Sequence, residues 1–391
     1  MQILKQTDEL KVYLEGDWKK LRSKNCNYDF NLKNGEHLVW GKSEKTEDDP
    51  QMSPWGPFIA DIEITTKCNG INGKLCQYCY KANTPKGDNM SLSTFINVIK
   101  QVNYNQQLTQ VAYGLDSQAL ANPDLWAMCD YLRENHIIPN GTVAQLDDHI
   151  AYKIVNRFGG VAVSYHSDFE VLADTIAKLQ FNRENCAEEF VTLKQINIHF
   201  MLSEETYDEC IQLLENIKTD KRYDGLNAVV LLGLKKCGRA EKGFNRLSDE
   251  KFSKLVKLFF ENKIGLGFDS CSANRFEKVM CEWTDEKNKK VFEVDDFEVG
   301  PQDDRLKHLE VMKNQQDLQN ILQMVEPCES GLFSSYINVD GDFYPCSFNE
   351  KSEYQFNVLG TIPFKTHWEN GLNDWRAKLA ASKRSCPEYE V

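Results

Sequence analysis

The chain of 391 residues lacks any long apolar run. Its longest apolar stretches, such as Val229–Leu234, fall far short of the roughly 18 residues that cross a bilayer, so no membrane-spanning helix is expected. Met1–Lys11 is mixed and charged, with no apolar core of the kind a signal peptide needs, and none is expected. Positive charge is in deficit: 46 Lys+Arg stand against 59 Asp+Glu, a formal net charge of −13. That balance disfavours extended nucleic acid as a partner, because a phosphate backbone calls for clustered Lys and Arg. It leaves room for a local basic pocket. Proline is scarce, at 11 residues, and the chain is 41% apolar and 27% charged, which excludes a disordered composition and fits a globular one.

Cysteine, by contrast, is plentiful and odd in number, at 13. In a chain with no secretory signal, thiols serve as core filler, metal ligands or catalysts more often than as disulfides. A reducing, cytoplasmic setting follows as the expectation.

Three regions differ in pattern. Residues 1–57 read as a lead-in, with Asn34-Gly35 between Tyr28–Leu32 and His37–Trp40 marking a small hairpin. The polar, then Pro- and Gly-rich stretch Lys42–Pro57 reads as a linker. From Phe58 to residue 270, strands alternate with amphipathic helices. The expected strands are Phe58–Thr65, Leu108–Tyr113, Ile137–Val143, Val161–Tyr165, Gln195–Leu202, Leu226–Leu234 and Ile264–Asp269. Ser91, Asn122-Pro123-Asp124, Asp147, a Ser167/Glu170 capping box, Ser203 and Ser248 open the intervening helices. Six such units imply a parallel sheet covered by helices, an open or partial (β/α)6 TIM-like barrel with its chemistry at the C-terminal strand ends. Residues 271–391 break the rhythm and read as a small cysteine-bearing module. There Lys278–Asp304 is charge-dense, Asp340-Gly341 marks a hairpin, and Trp368–Ala381 reads as a helix.

Directly after the first strand, Cys68, Cys76 and Cys79 fall within twelve residues, spaced by glycines that let the loop curl. A tetrahedral zinc site would want a fourth ligand nearby. None is close, since no His lies between 38 and 135 and the nearest other thiols are Cys26 and Cys129. Three thiols without a fourth suit a four-iron cubane with one iron left open. A zinc knuckle or plain reduced thiols are the alternatives.

At Ile64-Thr65-Thr66-Lys67-Cys68-Asn69 and Cys76-Gln77-Tyr78-Cys79 the sequence resembles the radical S-adenosylmethionine enzyme superfamily. The departure is the first spacing, where seven residues separate Cys68 from Cys76 instead of the usual three. Ile71-Asn72-Gly73-Lys74 looks like a loop extension. The resemblance implies that Cys68, Cys76 and Cys79 hold a [4Fe-4S] cluster whose open iron chelates S-adenosylmethionine. An electron from an external donor of flavodoxin or ferredoxin type then cleaves the cofactor to a 5′-deoxyadenosyl radical. It also implies, more weakly, that Tyr78, Gly114, Asp116, Ser164, His166, Asn197 and His199 line the cofactor site. Gly114 and Asp116 partly match a Gly-Gly-Glu-type motif. For His199 a satisfied sheet residue is the even alternative. Gly238-Arg239-Ala240 resembles a turn found in some members, where Arg239 pairs with a carboxylate or lies solvated.

The stretch Cys328 to Cys346, with Tyr336-Ile-Asn-Val-Asp-Gly-Asp-Phe-Tyr-Pro-Cys346 at its heart, resembles the auxiliary-cluster module called twitch or SPASM. No tight Cys-x-x-Cys pair follows, so one auxiliary [4Fe-4S] cluster, the twitch form, fits better than two. Cys271 and Cys386 are chosen as the remaining ligands, with Cys281 spare. A four-cysteine zinc site is the alternative, because spacing alone does not separate zinc from iron–sulfur. Cys129 and Cys210 sit on apolar helix faces as core residues, and Cys237 falls near the mouth. The expected activity is oxidation or crosslinking of a substrate, a peptide or protein. The alternatives are modification of a nucleotide or other small molecule, and a non-enzymatic iron–sulfur scaffold or electron carrier.

Overall fold

The computed structural model describes residues 1–41, 50–187, 189, 191–284, 321–322, 325–382 and 385–389. The charged stretch expected over 278–304 therefore lies largely outside the described residues, as does most of the first half of the linker.

Residues 2–40 form a five-stranded antiparallel meander: β1 (Gln2–Gln6), β2 (Leu10–Glu15), β3 (Trp18–Ser23), β4 (Asn27–Asn31) and β5 (His37–Trp40). The expected hairpin is its last pair, in register Tyr28 with Val39 and Phe30 with His37. The three earlier strands were not legible, because lysines and arginines interrupt their alternation. One of those lysines explains how the sheet is docked. Lys19 is buried, and its ammonium donates to the carbonyls of Leu108 at 2.7 Å and His136 at 3.3 Å. Burial alone pushes its pKa down to about 7. Beside it, the Tyr28 ring stacks on Phe58 at 4.0 Å, and its hydroxyl meets that of Thr109 at 3.0 Å. These partners all precede strands of the larger sheet, so the meander covers the N-terminal end of that sheet. What reads as a lead-in is a packed layer.

The larger sheet begins with seven parallel strands: β6 (Ile59–Ile62), β7 (Gln110–Gly114), β8 (Ile138–Val143), β9 (Gly160–Ser164), β10 (Gln195–Leu202), β11 (Ala228–Gly233) and β12 (Leu266–Phe268). Six helices cross between them: α1 (Leu92–Val102), α2 (Leu125–Glu134), α3 (Asp148–Val155), α4 (Phe169–Asn185), α5 (Tyr207–Thr219) and α6 (Asp249–Glu261). The side-chain period of two sorts each strand. On β10, Ile196, Ile198 and Phe200 are buried toward the helices, while Asn197 and His199 are half-buried on the opposite, concave face. Ser91 caps α1 by accepting from the Thr94 amide at 3.1 Å, and Ser248 caps α6. Two caps differ from expectation. Asp168, not Ser167, caps α4 by accepting from Glu170 and Val171, because Ser167 takes a left-handed φ of 57° to turn the chain. Helix α5 starts after Thr206, whose amide is held by the Ser203 hydroxyl at 3.3 Å.

Helix α7 (Ala273–Thr284) follows β12. The expected C-terminal hairpin forms as β13 (Ser334–Ile337) and β14 (Asp342–Tyr344), with β15 (Phe356–Asn357) beside it. It is not detached from the barrel. β13 pairs in parallel with β6, Ser334 with Ile59 through Ile337 with Ile62, so one ten-stranded sheet runs β12-β11-β10-β9-β8-β7-β6-β13-β14-β15. Among the described residues β12 and β15 do not pair, so the barrel stays open. The helix expected over Trp368–Ala381 is broken. A wide π turn over His367–Gly371 precedes α8 (Asn373–Ala381). The His367 ring stacks on Phe356 at 4.1 Å and fills the place where a Cβ on Gly371 would go.

Candidate functional site

The loop leaving the C-terminal end of β6 carries Cys68, Cys76 and Cys79, all half-buried. Its base is closed like a strap: Cys68 donates its amide to Thr84 at 3.0 Å and Thr66 to Asp88 at 2.9 Å. The long first spacing has a local explanation. Ile71 and Lys74 exchange both backbone hydrogen bonds, at 3.1 and 2.9 Å, across Asn72 (φ 51°) and Gly73 (φ 77°). That is a type I′ turn, for which Asn-Gly is the preferred pair. It folds the extra residues away and returns Cys76 toward Cys68. Burial pushes the Cys76 thiol up to about 12, and Cys79 and Cys68 act on it in the same direction.

A second segment clasps this loop from the far side of the mouth. The Arg239 guanidinium donates to the carbonyl of Cys76 at 2.6 Å and to that of Asn83 at 2.9 Å, and its amide donates to Cys79 at 3.0 Å. Among the described residues Arg239 meets no carboxylate; it holds the cysteine loop. Gly238 before it adopts φ 58°, and a Cβ there would fall on the Tyr80 carbonyl and 2.5 Å from that of Cys79. Only glycine fits.

Tyr78 donates its hydroxyl to the carbonyl of Tyr165, and its ring stacks on His166 at 5.7 Å. Ser164 ends β9 and sits opposite His199 of β10. His199 Nδ1 lies 3.4 Å from the Thr142 hydroxyl. Burial pushes both His166 and His199 down to about 4, so both rings are neutral at pH 7. Asn197 lies one pleat below His199 on the same face, and Gly114 is exposed at the end of β7. Asp116 is turned into its own loop, where its carboxylate accepts from the amides of Leu120 at 2.7 Å, Ala121 at 3.2 Å and Gln118 at 3.3 Å. Its neighbour Ser117 donates to the Gly70 carbonyl at 2.8 Å, tying that loop to the cysteine loop.

Cys271 follows β12 at one edge of the open sheet; Cys346 follows β14 near the other. Cys271 and Cys386 share a hydrogen bond that pushes Cys386 down to about 6 and Cys271 up. Cys346 is pushed up to about 12 by burial, with Cys328 and Cys386 among its neighbours. Backbone amides of Phe348 and Tyr389 point at Cys346 and Cys386, at 3.4 and 3.3 Å. Cys281 is exposed on α7, while Cys129 and Cys210 are buried in the core. Cys237 stands between the two sets, with Cys79 on one side and Tyr389 on the other. Among the described residues no three His, Cys, Asp or Glu side chains are close enough together to hold a single metal ion.

Sequence reasoning missed a charged group on the concave face. Glu63, buried just past β6, pairs with Lys81 at 3.2 Å; Lys81 also pairs with Glu350 and donates to the Tyr336 hydroxyl at 2.6 Å. They line a cavity of about 480 Å³ with Tyr80, Phe348 and Cys237. Asp61 lies one pleat deeper on the strand. The protein packed around its carboxyl raises it to about 6. The signal was present: Ala60, Ile62 and Ile64 mark the helix side of the strand, so the acids between them face inward.

No family model matches the chain, and no curated protein matches it by sequence. Solved structures do match in shape. SuiB of Streptococcus suis bound to precursor peptide SuiA is 12% identical, with a TM-score of 0.58, over 92% of this chain and 88% of that one. SuiB bound to S-adenosylmethionine is 11% identical, with a TM-score of 0.55, over 94% and 88%. Among the described residues no helix is long and apolar enough to cross a membrane. The open parallel sheet and its covering helices share their fold with SuiB.

Proposed function

We propose that the chain is a radical S-adenosylmethionine enzyme that oxidises or crosslinks a peptide. The observation that carries this reading is the three-thiol loop at the C-terminal end of β6, folded by its type I′ turn and clasped by Arg239. The donor set fits the group: three sulfurs, no carboxylate or imidazole among them, at a barrel mouth. Bound there, a [4Fe-4S] cluster with S-adenosylmethionine supplies a 5′-deoxyadenosyl radical. The chain's own residues orient and enclose. Tyr78 and His166 form a stacked wall beside the cysteines, Ser164, Asn197 and His199 offer neutral polar groups, and the cavity around Glu63 and Lys81 receives the substrate. A peptide is favoured because SuiB, of like fold, binds precursor peptide SuiA.

Cys271, Cys328, Cys346 and Cys386 hold one auxiliary cluster in this reading. The Cys328–Cys346 hairpin and the Cys271–Cys386 pair favour a cluster held by thiols alone. Anaerobic reconstitution tests both sites: about eight iron per chain are expected, from two four-iron clusters. Reduction by a flavodoxin or ferredoxin with S-adenosylmethionine then releases 5′-deoxyadenosine. Replacing Cys68, Cys76 and Cys79 by Ala halves the iron and abolishes cleavage. Replacing Cys328 and Cys346 removes the other half and leaves uncoupled cleavage. Zinc in place of iron, or full iron without nucleoside release, refutes the reading.

A further inference from the structure

We propose that a second cavity, next to the one that receives the substrate, is a subsite for an acidic side chain of the peptide. The inference rests on the reading that the chain acts on a peptide. The cavity measures about 460 Å³ and lies between the start of α6, helix α7 and the C-terminal tail. Arg246, Arg275 and Lys278 line it, and all three meet one carboxylate. Asp249 Oδ1 accepts from Arg246 Nη2 at 3.0 Å and from Arg275 Nε at 3.1 Å, and its Oδ2 accepts from Lys278 at 3.2 Å. The other acid of the lining, Glu388, is held by Lys351 from outside it. Three cations set against Asp249 leave an excess of two positive charges.

Stability does not account for this arrangement. Cations gathered on one carboxylate repel one another, and ion pairs as open as that of Lys278, which is 60% exposed, contribute little. Arg246 is also left short of acceptors. Among the described residues its Nε is buried and has none, which costs free energy until an acceptor arrives. A second carboxylate supplies that acceptor and removes the charge excess, and the planar fork of a guanidinium suits it. The place of the cavity says where that carboxylate comes from. Phe348 lines the substrate cavity and Tyr389 lines this one. Their ring centres are 6.5 Å apart, and the Tyr389 hydroxyl donates to the Phe348 carbonyl at 2.9 Å. The two cavities are therefore neighbours across one pair of side chains. A peptide with its reacting residue in the first reaches the second within a few residues.

The test uses the reconstituted full chain without S-adenosylmethionine, so that the charge of any bound cluster is present. The probes are a fluorophore-labelled Gly/Ser peptide bearing paired Glu and its Gln counterpart, with dissociation constants read by anisotropy. The Glu peptide should bind about tenfold more tightly than the Gln peptide, although a chain of net charge −13 repels an acidic peptide overall. Arg246→Gln with Lys278→Gln should weaken the Glu peptide about tenfold and leave the Gln peptide unchanged. Lys254→Gln with Lys257→Gln is the charge-matched control: both lie on α6 outside the cavity, and binding should stay near that of the parent. Equal losses in the two double variants reduce the effect to net charge and overturn the proposal, as does equal binding of the two peptides. If the first double variant does not fold, Lys278→Gln alone decides by the same comparison. If inorganic phosphate binds with the same dependence on Arg246 and Lys278 while the Glu peptide does not bind, the site serves a free anion and the peptide assignment is overturned. The readout needs no cofactor cleavage, so failure here is distinct from failure of the radical reading, which shows as absent nucleoside release.

Discussion

Replacing Gly238 by alanine should loosen the cysteine loop without unfolding the protein. Two terms add. A left-handed backbone costs a residue with a Cβ about 1–2 kcal/mol. The new methyl meets backbone carbonyls of Cys79 and Tyr80, which no side-chain rotation can clear, so the loop must retreat. Retreat breaks the Arg239 amide bond to Cys79, worth about 1 kcal/mol. The sum is about 2–3 kcal/mol, or about 30- to 150-fold weaker hold on the conformation that presents the three thiols. The cost falls on the loop, because residue 238 lies in a short turn at the mouth, outside the apolar core. The assay is iron content after reconstitution, followed by the rate of iron loss to a chelator, with a thermal melt alongside. Gly243→Ala is the control: it shares the positive φ, at 87°, but nothing lies within 4 Å of its new methyl. Gly238→Ala should lose first-site iron at least tenfold faster than Gly243→Ala, with a similar melting temperature. Equal iron retention in the two variants would refute the clasp.

Arg239→Ala removes two charge-assisted bonds to the loop carbonyls and should likewise speed chelation; Arg239→Lys should recover only part, since an ammonium cannot present the same fork. Asp61 binds its proton more tightly in the fold than in the unfolded chain, its carboxyl rising from 3.8 to about 6. Stability should therefore fall as pH rises from about 4 to 6, and Asp61→Asn should flatten that slope in urea melts at pH 4.5 and 7. Lys19 behaves oppositely. Its pKa falls from 10.5 to about 7, so the unfolded chain binds the extra proton and stability should rise with pH between those values. Lys19→Met should abolish the rise, as read by urea melts at pH 7 and 9.5.

The parallel sheet was legible because buried strands and amphipathic helices alternate at a steady length, and each strand fell within a few residues of its expected place. The three cysteines at its mouth were legible because glycines and a strand end surround them. The hairpin between Cys328 and Cys346 was readable from Asp340-Gly341. Three features were hidden. The meander of residues 2–40 uses Lys19 as an inward residue, and a lysine reads as outward until its two carbonyl partners are seen. The parallel pairing of β13 with β6 joins segments far apart in the chain, which no local pattern reports. Arg239 serves backbone carbonyls, which leave no trace in side-chain identity.

That long-range pairing also sets a schedule. β6 ends at Ile62, and the strand that covers its outer edge begins at Ser334. At the pace of synthesis the interval is on the order of tens of seconds. Throughout it, an apolar edge strand stands with its hydrogen-bonding groups bare, the arrangement that invites mispairing with other chains. Asp61 sits on that very strand, and Glu63 directly follows it. Before the cavity forms, their charges guard the nascent edge, so Glu63, which later lines it, serves the protein at two stages of its life.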